Sequence, residues 1–310
     1  MVQLRTPQRR GNGRSHHGAA RDNGNGAGRS AKKTGVAGFL SLPARSEKPR
    51  DVGITHVIDN GMGMHQLEDL LMTASDYIDI LKLGFGTGYV TQNVLDKIKA
   101  CHQARVPVCF GGTFLELAML QGRFDEFRAL VEKVGMTHVE ISSGVIDMSR
   151  QDKAIYIKQL AKDLVVLSEV GKKDSEKHIP PYRWVELIES DLDAGAWKVI
   201  CEARESGTVG LYFGTGEVRT GLIDEITEKI NHADLIFEAP QKSQQTWLIQ
   251  KLGNEVNIGN VATGDVLALE TLRLGLRGDT MGQFHPVDAW NAQPEHKEQA
   301  PKSPKRRARR

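Results

Sequence analysis

The chain has 310 residues, of which 39% are hydrophobic and 26% charged, so it is long and apolar enough to bury a sizeable core. This composition argues against a chain that is disordered throughout, and no apolar run reaches the roughly 18 residues of a transmembrane helix. Three cysteines (Cys101, Cys109 and Cys201) are too few and too scattered for a disulfide framework or a zinc site. Without an apolar secretory segment at the start, we expect a cytoplasmic protein.

The net charge of +2 hides an uneven distribution. Residues 1–50 carry 11 basic and 2 acidic residues, residues 296–310 carry 7 and 1, and the body between them is acidic. Neither end shows a hydrophobic period, so we predict disordered basic tails over 1–46 and 286–310 around one domain at 47–285. Such tails solubilise a protein or contact nucleic acid nonspecifically, and the sequence leaves both roles open.

In chain order, the body alternates short apolar runs with longer helical patterns. We predict eight strands at 54–59, 77–83, 106–110, 138–141, 164–170, 197–203, 235–238 and 256–258. Helical spacing of apolar residues is clearest over 90–104, 124–134 and 265–276. Alternation of this kind is typical of parallel strands with helical crossovers, and eight units predict a (β/α)8 TIM barrel. A doubly wound open sheet is the alternative, because periodicity does not show closure.

Every predicted strand ends in polar or glycine-rich sequence, and five ends carry a carboxylate: Asp59, Glu140, Glu169, Glu202 and Glu238. In a barrel these ends meet at one face, where the carboxylates would repel one another unless cations intervene. Carboxylates are also the ligands that Mg²⁺ prefers.

Lys82, Lys172 and Arg204 add positive charge near the same ends, which suits an anionic substrate. The pattern therefore predicts a metal-assisted enzyme acting on a small phosphorylated or multiply anionic molecule. For any single carboxylate the alternative is a structural ion pair at the rim. His56 and His138 lie within strands and are predicted to be structural.

Seven motifs occur together and in register: KLGFGT at 82–87, GGT at 111–113, EIS at 140–142, EVGKK at 169–173, ARESG at 203–207, FEAPQKSQQ at 237–245, and LETLR through GLRGDT at 269–280. In this combination the chain resembles the phosphosulfolactate synthase family over about residues 50–284. The resemblance implies a (β/α)8 barrel, typically a homotrimer, that adds sulfite to phosphoenolpyruvate with Mg²⁺. The product would be (2R)-phospho-3-sulfolactate, an early intermediate of coenzyme M or sulfonate biosynthesis.

The family also includes plant heat-stress-associated relatives, so membership fixes the fold better than the reaction. Two alternatives therefore stay open at this point. One is a related enol-phosphate lyase that uses another nucleophile. The other is a noncatalytic stress protein.

The resemblance also implies roles for individual residues. Lys172 is the expected acid that protonates C2 of the substrate, and Lys82 is either an alternative acid or a contact to the substrate carboxylate. Arg204, with Ser206, is expected to bind phosphate or sulfite. The expected Mg²⁺ ligands are drawn from Glu140, Glu169, Glu202 and Glu238, with Asp59 next. Phosphate candidates at the last strand are Asn257, Gly259 and Asn260.

Overall fold

The computed structural model describes residues 37–171 and 179–293. Its strands are β1 (Thr55–Asp59), β2 (Ile80–Leu83), β3 (Val108–Phe110), β4 (His138–Ile141), β5 (Val165–Val170), β6 (Lys198–Cys201), β7 (Leu235–Glu238) and β8 (Ile258–Ala262). Its helices are α1 (Met64–Ala74), α2 (Thr87–Val90), α3 (Val94–Gln103), α4 (Gly112–Leu120), α5 (Phe124–Lys133), α6 (Arg150–Leu160), α7 (Pro181–Ala194), α8 (Thr220–Lys229), α9 (Lys242–Leu252), α10 (Val266–Arg273), α11 (Gly278–Phe284) and α12 (Val287–Ala292).

All strand pairs are parallel, and the sheet order is β3-β2-β1-β8-β7-β6-β5-β4. Pairing of β1 with both β2 and β8 brings the first and last strands together, as a barrel requires and a doubly wound sheet does not. The predicted (β/α)8 TIM barrel is therefore confirmed. Within the described residues no backbone ladder joins β3 to β4, so the barrel has one seam.

Two separate apolar clusters stabilise the barrel. The larger lies between the sheet and the helices and includes Val57, Leu81 and Val199. The smaller fills the lumen and consists of Ile54, Ile80, Cys109, Leu167, Ile200 and Ile236, packed by Trp197. Because successive strand residues face opposite sides, the residue two positions beyond each lumen residue also faces inward. This rule places polar side chains directly above the apolar floor.

The predicted bounds of β4 and β7 match the structure, whereas the last strand was placed wrongly. We predicted 256–258, and β8 spans Ile258–Ala262. Glycine and asparagine are depleted in strands, so Gly259 and Asn260 read as a loop. Parallel pairing of β8 with β1 and β7 overrides that preference, and the register with β1 shifts at a bulge that includes Asn260, whose φ is 53°.

The described chain extends past both expected domain boundaries. Before residue 47, Arg45 is almost fully buried and forms ion pairs with Glu255 at 2.8 Å and Glu270 at 3.0 Å. After residue 285, the chain forms α12. Among the described helices, none combines the length and hydropathy needed to span a bilayer.

Candidate active site

A buried lysine surrounded by carboxylates lies at the carboxyl end of the lumen. Lys82 on β2 is 5% exposed, and its Nζ lies 3.3 Å from Glu238 Oε1, 3.4 Å from Glu140 Oε1 and 3.9 Å from Glu169 Oε1. Lys82, Glu169 and Glu238 each follow a residue of the apolar lumen cluster by two positions on the same strand. Glu140 follows His138 in the same way. Side chains from four strands, β2, β4, β5 and β7, therefore come together at the Lys82 ammonium group.

Lys82 is a fixed positive charge. Burial opposes its charged form, but Glu140, Glu238 and Glu169 together raise the pKa of Lys82 well above its usual value. An ammonium group with so high a pKa gives up its proton reluctantly. The geometry therefore favours the substrate-contact role over the acid role for Lys82.

Among these carboxylates, Glu238 has a raised pKa. Burial raises the pKa of Glu238 to about 8, with Lys82 opposing the rise and the charges of Glu169 and Glu202 adding to it. Its Oε2 accepts a hydrogen bond of 2.8 Å from the Ala203 amide. The Glu238 side chain is thus held in place, but its ionised form is unfavourable. A bound cation would stabilise that ionised form.

Glu140 is engaged on both oxygens. Its Oε2 accepts a 3.0 Å hydrogen bond from the Gly112 amide, across the seam between β3 and β4. Its Oε1 faces Lys82 and lies 2.9 Å from His56 Nε2. Both side chains of the His56–Glu140 contact are completely buried.

His56 is neutral in this setting. Burial, followed by the charge of Lys82, holds the pKa of His56 well below its usual value. At 2.9 Å its contact with Glu140 is not aligned as a hydrogen bond. Within the described chain both ring nitrogens of His56 and Glu140 Oε1 are buried polar atoms without a hydrogen-bond partner.

Among the described residues, one group of three side chains brings metal-ligating atoms close together. His56, Cys109 and Glu140 place ligand atoms within 4.8 Å of one another. However, burial raises the pKa of the Cys109 thiol well above its usual value, and the thiolate is the ligand form. The carboxylates Glu169, Glu202 and Glu238 offer only oxygen, the ligand type of a hard divalent cation, and burial and the charges of Glu169 and Glu202 raise the pKa of Glu238. In this structure, however, the three do not bring their oxygens within 4.8 Å of one another.

Asp59 requires a correction, because the structure does not bring it to this cluster. It lies on the opposite face of β1 from His56, where its Oδ2 pairs with Lys97 of α3. Its Oδ1 accepts hydrogen bonds from the amides of Gly61 at 2.9 Å and Met62 at 2.7 Å. Asp59 thus fixes the turn after β1 and is fully committed to structure.

Asn257 requires a correction for a related reason. It precedes β8, so it lies at the amino end of the barrel, opposite the carboxylates. Its Oδ1 accepts from the Ile54 amide at 2.9 Å, and its Nδ2 donates to the carbonyls of Ala233 and Leu235. Asn257 therefore joins three chain segments and is not placed to contact a substrate.

Gly259 and Asn260 do lie near the lumen. A Cβ at position 259 would come within 3.0 Å of Ile236 and 3.3 Å of His56 Nδ1, so glycine leaves room for the histidine ring. Asn260 is 7% exposed, and its Oδ1 has no hydrogen-bond partner among the described residues. An unpaired buried amide suits a ligand contact.

Arg204 and Ser206 lie on the exposed loop that follows β6, outside the buried cluster. Ser206 Oγ contacts Thr208 Oγ1 at 2.7 Å, and Gln241 Nε2 donates to the Ser206 carbonyl at 2.6 Å. Gln244 ties the same loop through the Gly207 carbonyl. The glutamines of the FEAPQKSQQ motif therefore shape the rim.

The rim also holds a cleft of about 430 Å³ between the turns after β1 and β8. Its lining includes Asn60, Gly61, Thr263 and Gly264. The predicted acid, Lys172, lies outside the described residues. Gly171, directly before it, packs so close to Glu202 that a Cβ would meet the Glu202 Cβ at 2.5 Å.

Sequence reasoning missed three supporting residues. The contact of His56 with Glu140 was not foreseen, although its position two residues after Ile54 on a strand buried on both faces indicates a side chain that points into the lumen. Glu116 of α4 accepts from the Ser142 hydroxyl and from the amides of Val145 and Ile146, which shapes the loop after β4. No sequence pattern marks that contact, because it joins a helix to a later loop.

Lys153 of α6 was also missed. Its Nζ donates to the Glu169 carbonyl at 2.6 Å and to Asp191 Oδ2 at 2.8 Å, and Ser168 Oγ donates to the same carboxylate at 2.6 Å. These bonds hold the end of β5 from outside the barrel.

Comparison with known proteins identifies the family. The family model for (2R)-phospho-3-sulfolactate synthase (ComA) matches residues 43–279. The chain belongs to this family. The phosphosulfolactate synthase of Bacillus subtilis is 43% identical over 78% of this chain and 97% of its own.

Two archaeal relatives give matches of the same kind. The phosphosulfolactate synthase of Methanothermobacter thermautotrophicus is 40% identical over 80% of this chain and 98% of its own. That of Methanocaldococcus jannaschii is 44% identical over 74% of this chain and 94% of its own. The matched region covers every strand of the barrel and the whole lysine–carboxylate cluster.

Proposed function

We propose that this protein catalyses the Mg²⁺-dependent addition of sulfite to phosphoenolpyruvate, giving (2R)-phospho-3-sulfolactate. The observation that carries the proposal is the buried Lys82, held among Glu140, Glu169 and Glu238 at the carboxyl end of a barrel of this family. Active sites of TIM barrels lie at this face. A permanent cation among acids suits a small substrate that carries several negative charges and bridges to a metal.

The reaction forms one carbon–sulfur bond and adds one proton. The sulfur lone pair attacks C3 of the enol phosphate, the π electrons of the C2–C3 bond move to C2, and they spread into the adjacent carboxylate. A proton delivered to C2 completes the product, and the phosphate remains attached. Charge therefore grows on the substrate carboxylate during the reaction, where a preorganised ammonium group stabilises it most. We assign Lys82 to that position.

The carboxylate ligands of Mg²⁺ would be drawn from Glu169, Glu202 and Glu238, since Mg²⁺ takes few carboxylates and keeps several waters. When bound there, the ion supplies Lewis-acid stabilisation to the substrate carboxylate. Glu140 is left out of this set, because the charges that raise the pKa of Glu238 are those of Glu169 and Glu202, and because His56 as well as Lys82 faces the Glu140 oxygen that Gly112 does not bind. Burial of the three glutamates excludes water from the reacting atoms, which strengthens each charge interaction.

The remaining roles follow the resemblance. Lys172 is proposed as the acid that delivers the proton to C2 from one face. Arg204 and Ser206, on the loop after β6, would bind an anionic group that enters from the rim, and Asn260 would offer its unpaired amide to the substrate. We also propose a homotrimer, which light scattering on the purified protein would measure, and a cytoplasmic location.

The test is product formation. Purified protein is mixed with phosphoenolpyruvate, sulfite and Mg²⁺, and the sulfonate is followed by mass spectrometry, with EDTA as the control. We expect an EDTA-sensitive phosphosulfolactate signal. If phosphoenolpyruvate is converted only with a different nucleophile in a parallel panel, that nucleophile would replace sulfite in the proposed reaction. No turnover by the folded, Mg²⁺-loaded protein would reject an enzymatic role at this site.

A further inference from the structure

His56 stands out among the buried groups because the proposed reaction leaves it without a role. It is completely buried, neutral and not hydrogen-bonded within the described residues. A buried polar group without partners costs stability, so its presence calls for a physical explanation. An aliphatic residue would suit this position better, since Ile54 and Ile236 line the lumen below it.

The position of His56 relative to Lys82 supplies that explanation. Both face the same atom, Glu140 Oε1, from 2.9 Å and 3.4 Å. Glu140 is immobile because its other oxygen is bound by the Gly112 amide. Two donors therefore converge on one fixed acceptor oxygen.

A substrate anion would draw Lys82 away from that oxygen. In the structure Lys82 divides its charge among three carboxylates at 3.3 to 3.9 Å, and none of these contacts is short. If Lys82 turned to a substrate carboxylate, Glu140 Oε1 would lose its cation while fully buried. A buried carboxylate left without a donor bears the full cost of its lost hydration.

We infer that His56 is a positioning residue that takes over Glu140 Oε1 when Lys82 binds the substrate anion. Its neutral imidazole carries one N–H, and a small rotation of the ring at 2.9 Å aligns Nε2–H on the carboxylate. The Nδ1 edge of the ring lies next to Gly259, where a Cβ would come within 3.3 Å of Nδ1 and restrict a rotation of the ring. The donor exchange lets Lys82 move without uncovering a buried charge.

The inference rests on the proposed function, and its test uses the intact protein with Mg²⁺. His56→Leu removes the donor, whereas His56→Gln keeps an N–H on a flexible amide. We expect His56→Leu to lower kcat/KM for phosphoenolpyruvate by about tenfold or more, in the range seen for residues that orient a reacting group through another. Its Tm should be no lower than that of the wild type, because an orphaned polar group is replaced by an apolar one. His56→Gln should recover most of the loss.

His138→Leu is the neighbouring control, because His138 precedes Glu140 by two residues on β4 and lies close enough to His56 to respond to a charge there, while its Nδ1 contacts Thr137 Oγ1. We expect it to keep the wild-type kcat/KM. Wild-type kcat/KM in His56→Leu, or an equal loss in both leucine variants, would overturn the inference. A loss of Tm in His56→Leu without recovery by His56→Gln would show a structural role only.

Crystal structures with and without phosphoenolpyruvate separate this inference from the proposed function. The donor exchange predicts that, with the ligand bound, Lys82 Nζ moves away from Glu140 Oε1 and His56 Nε2 makes an aligned hydrogen bond to it. Lys82 remaining on Glu140 in the liganded structure, or no bound ligand, overturns the inference. Absence of sulfite turnover with the exchange present would reject only the proposed reaction.

Discussion

At the scale of single residues, the packing of carboxylates around Lys82 lowers the stability of the folded protein when Glu238 is ionised. Glu238 has a pKa of about 8 in the folded protein, compared with its usual 4.5. Because the folded value is the higher one, Glu238 stabilises the fold fully below pH 4.5, and that contribution is lost as pH rises through about 8. The metal-free protein should therefore become less stable from pH 5 to pH 8 on account of this group.

Glu238→Gln tests this dependence. The amide loses part of the bonding to Lys82 and Ala203 at every pH, but it cannot ionise. We expect the free energy of unfolding of the variant, relative to the wild type, to improve by on the order of 1 kcal/mol or more between pH 5 and pH 8. Urea denaturation in EDTA at the two pH values measures it. A constant difference between the two proteins would contradict the raised pKa.

Asp59 gives a second prediction at this scale. Asp59→Asn keeps an oxygen for the amides of Gly61 and Met62 but leaves the buried Lys97 ammonium uncompensated. We expect a loss of about 3 kcal/mol in stability, typical of breaking a buried ion pair. The Mg²⁺ concentration for half-maximal turnover should stay unchanged. An increase in that concentration would restore Asp59 to the metal site.

At the scale of elements, the sequence predicted strands well where apolar runs end in a charge. The bounds of β4 and β7 were correct because both are compact runs, with Glu238 the last residue of β7 and Glu140 the last but one of β4. The prediction failed at β8, whose Gly259 and Asn260 have low strand propensity and lie at a register shift between the residues that pair with β1. Asn257 was consequently placed at the wrong end of the barrel.

For the site, too, the residues marked by a local pattern were predictable, and those that depend on contacts between distant segments were not. Glu140, Glu169 and Glu238 were predictable, because parallel strands bring their carboxyl ends together. The face on which Asp59 lies depends on its partner Lys97, which comes from a later helix. The contacts of His56 to β4 and of Glu116 to the loop after β4 depend on closure of the barrel, which no local pattern encodes.

The seam between β3 and β4 yields a prediction for these elements. A Cβ at Gly112, the first residue of α4, would lie 2.7 Å from Ser142 Oγ and 2.8 Å from Ser142 Cβ. Gly112→Ala should therefore push α4 from β4, strain the amide bond to Glu140 and cost about 1–3 kcal/mol.

Gly221→Ala in α8 is the matched control for the seam. Its Cβ would meet nothing within 4 Å, and alanine favours the helix, so its Tm should stay equal or rise. Thermal unfolding of both variants decides the point. Equal Tm values for the two variants would show that the seam tolerates an extra methyl group.

At the scale of the whole molecule, the two ends of the barrel have opposite designs. At the amino end Arg273 is completely buried and donates to the carbonyls of Asn254, Val256 and Ile54 at 2.6 to 3.2 Å. Burial lowers the pKa of Arg273 to about 9. Arg45 reaches the same end and pairs with Glu255 and Glu270. This end is committed to structure, which leaves the carboxyl end for chemistry.

Two truncations test how the chain before β1 contributes. Deleting residues 1–36 removes none of the described contacts and should leave Tm unchanged. Deleting residues 1–46 removes Arg45 and leaves Glu270, whose side chain is 7% exposed, without its cation. We expect Tm to fall by several degrees, corresponding to about 2–4 kcal/mol. Equal Tm values for the two truncations would make Arg45 dispensable.

The central claim is that the charge of Lys82 drives sulfite addition, and one comparison tests it most directly. Lys82→Met and Lys198→Met are assayed for phosphosulfolactate with Mg²⁺, phosphoenolpyruvate and sulfite. Lys198 is the matched control, a buried strand lysine that donates to the Ala233 carbonyl at 2.7 Å, away from the carboxylate cluster. We predict that Lys82→Met loses at least about 100-fold in kcat/KM while folded, the scale for loss of one preorganised donor, and that Lys198→Met keeps its activity. Wild-type turnover by folded Lys82→Met would contradict the account.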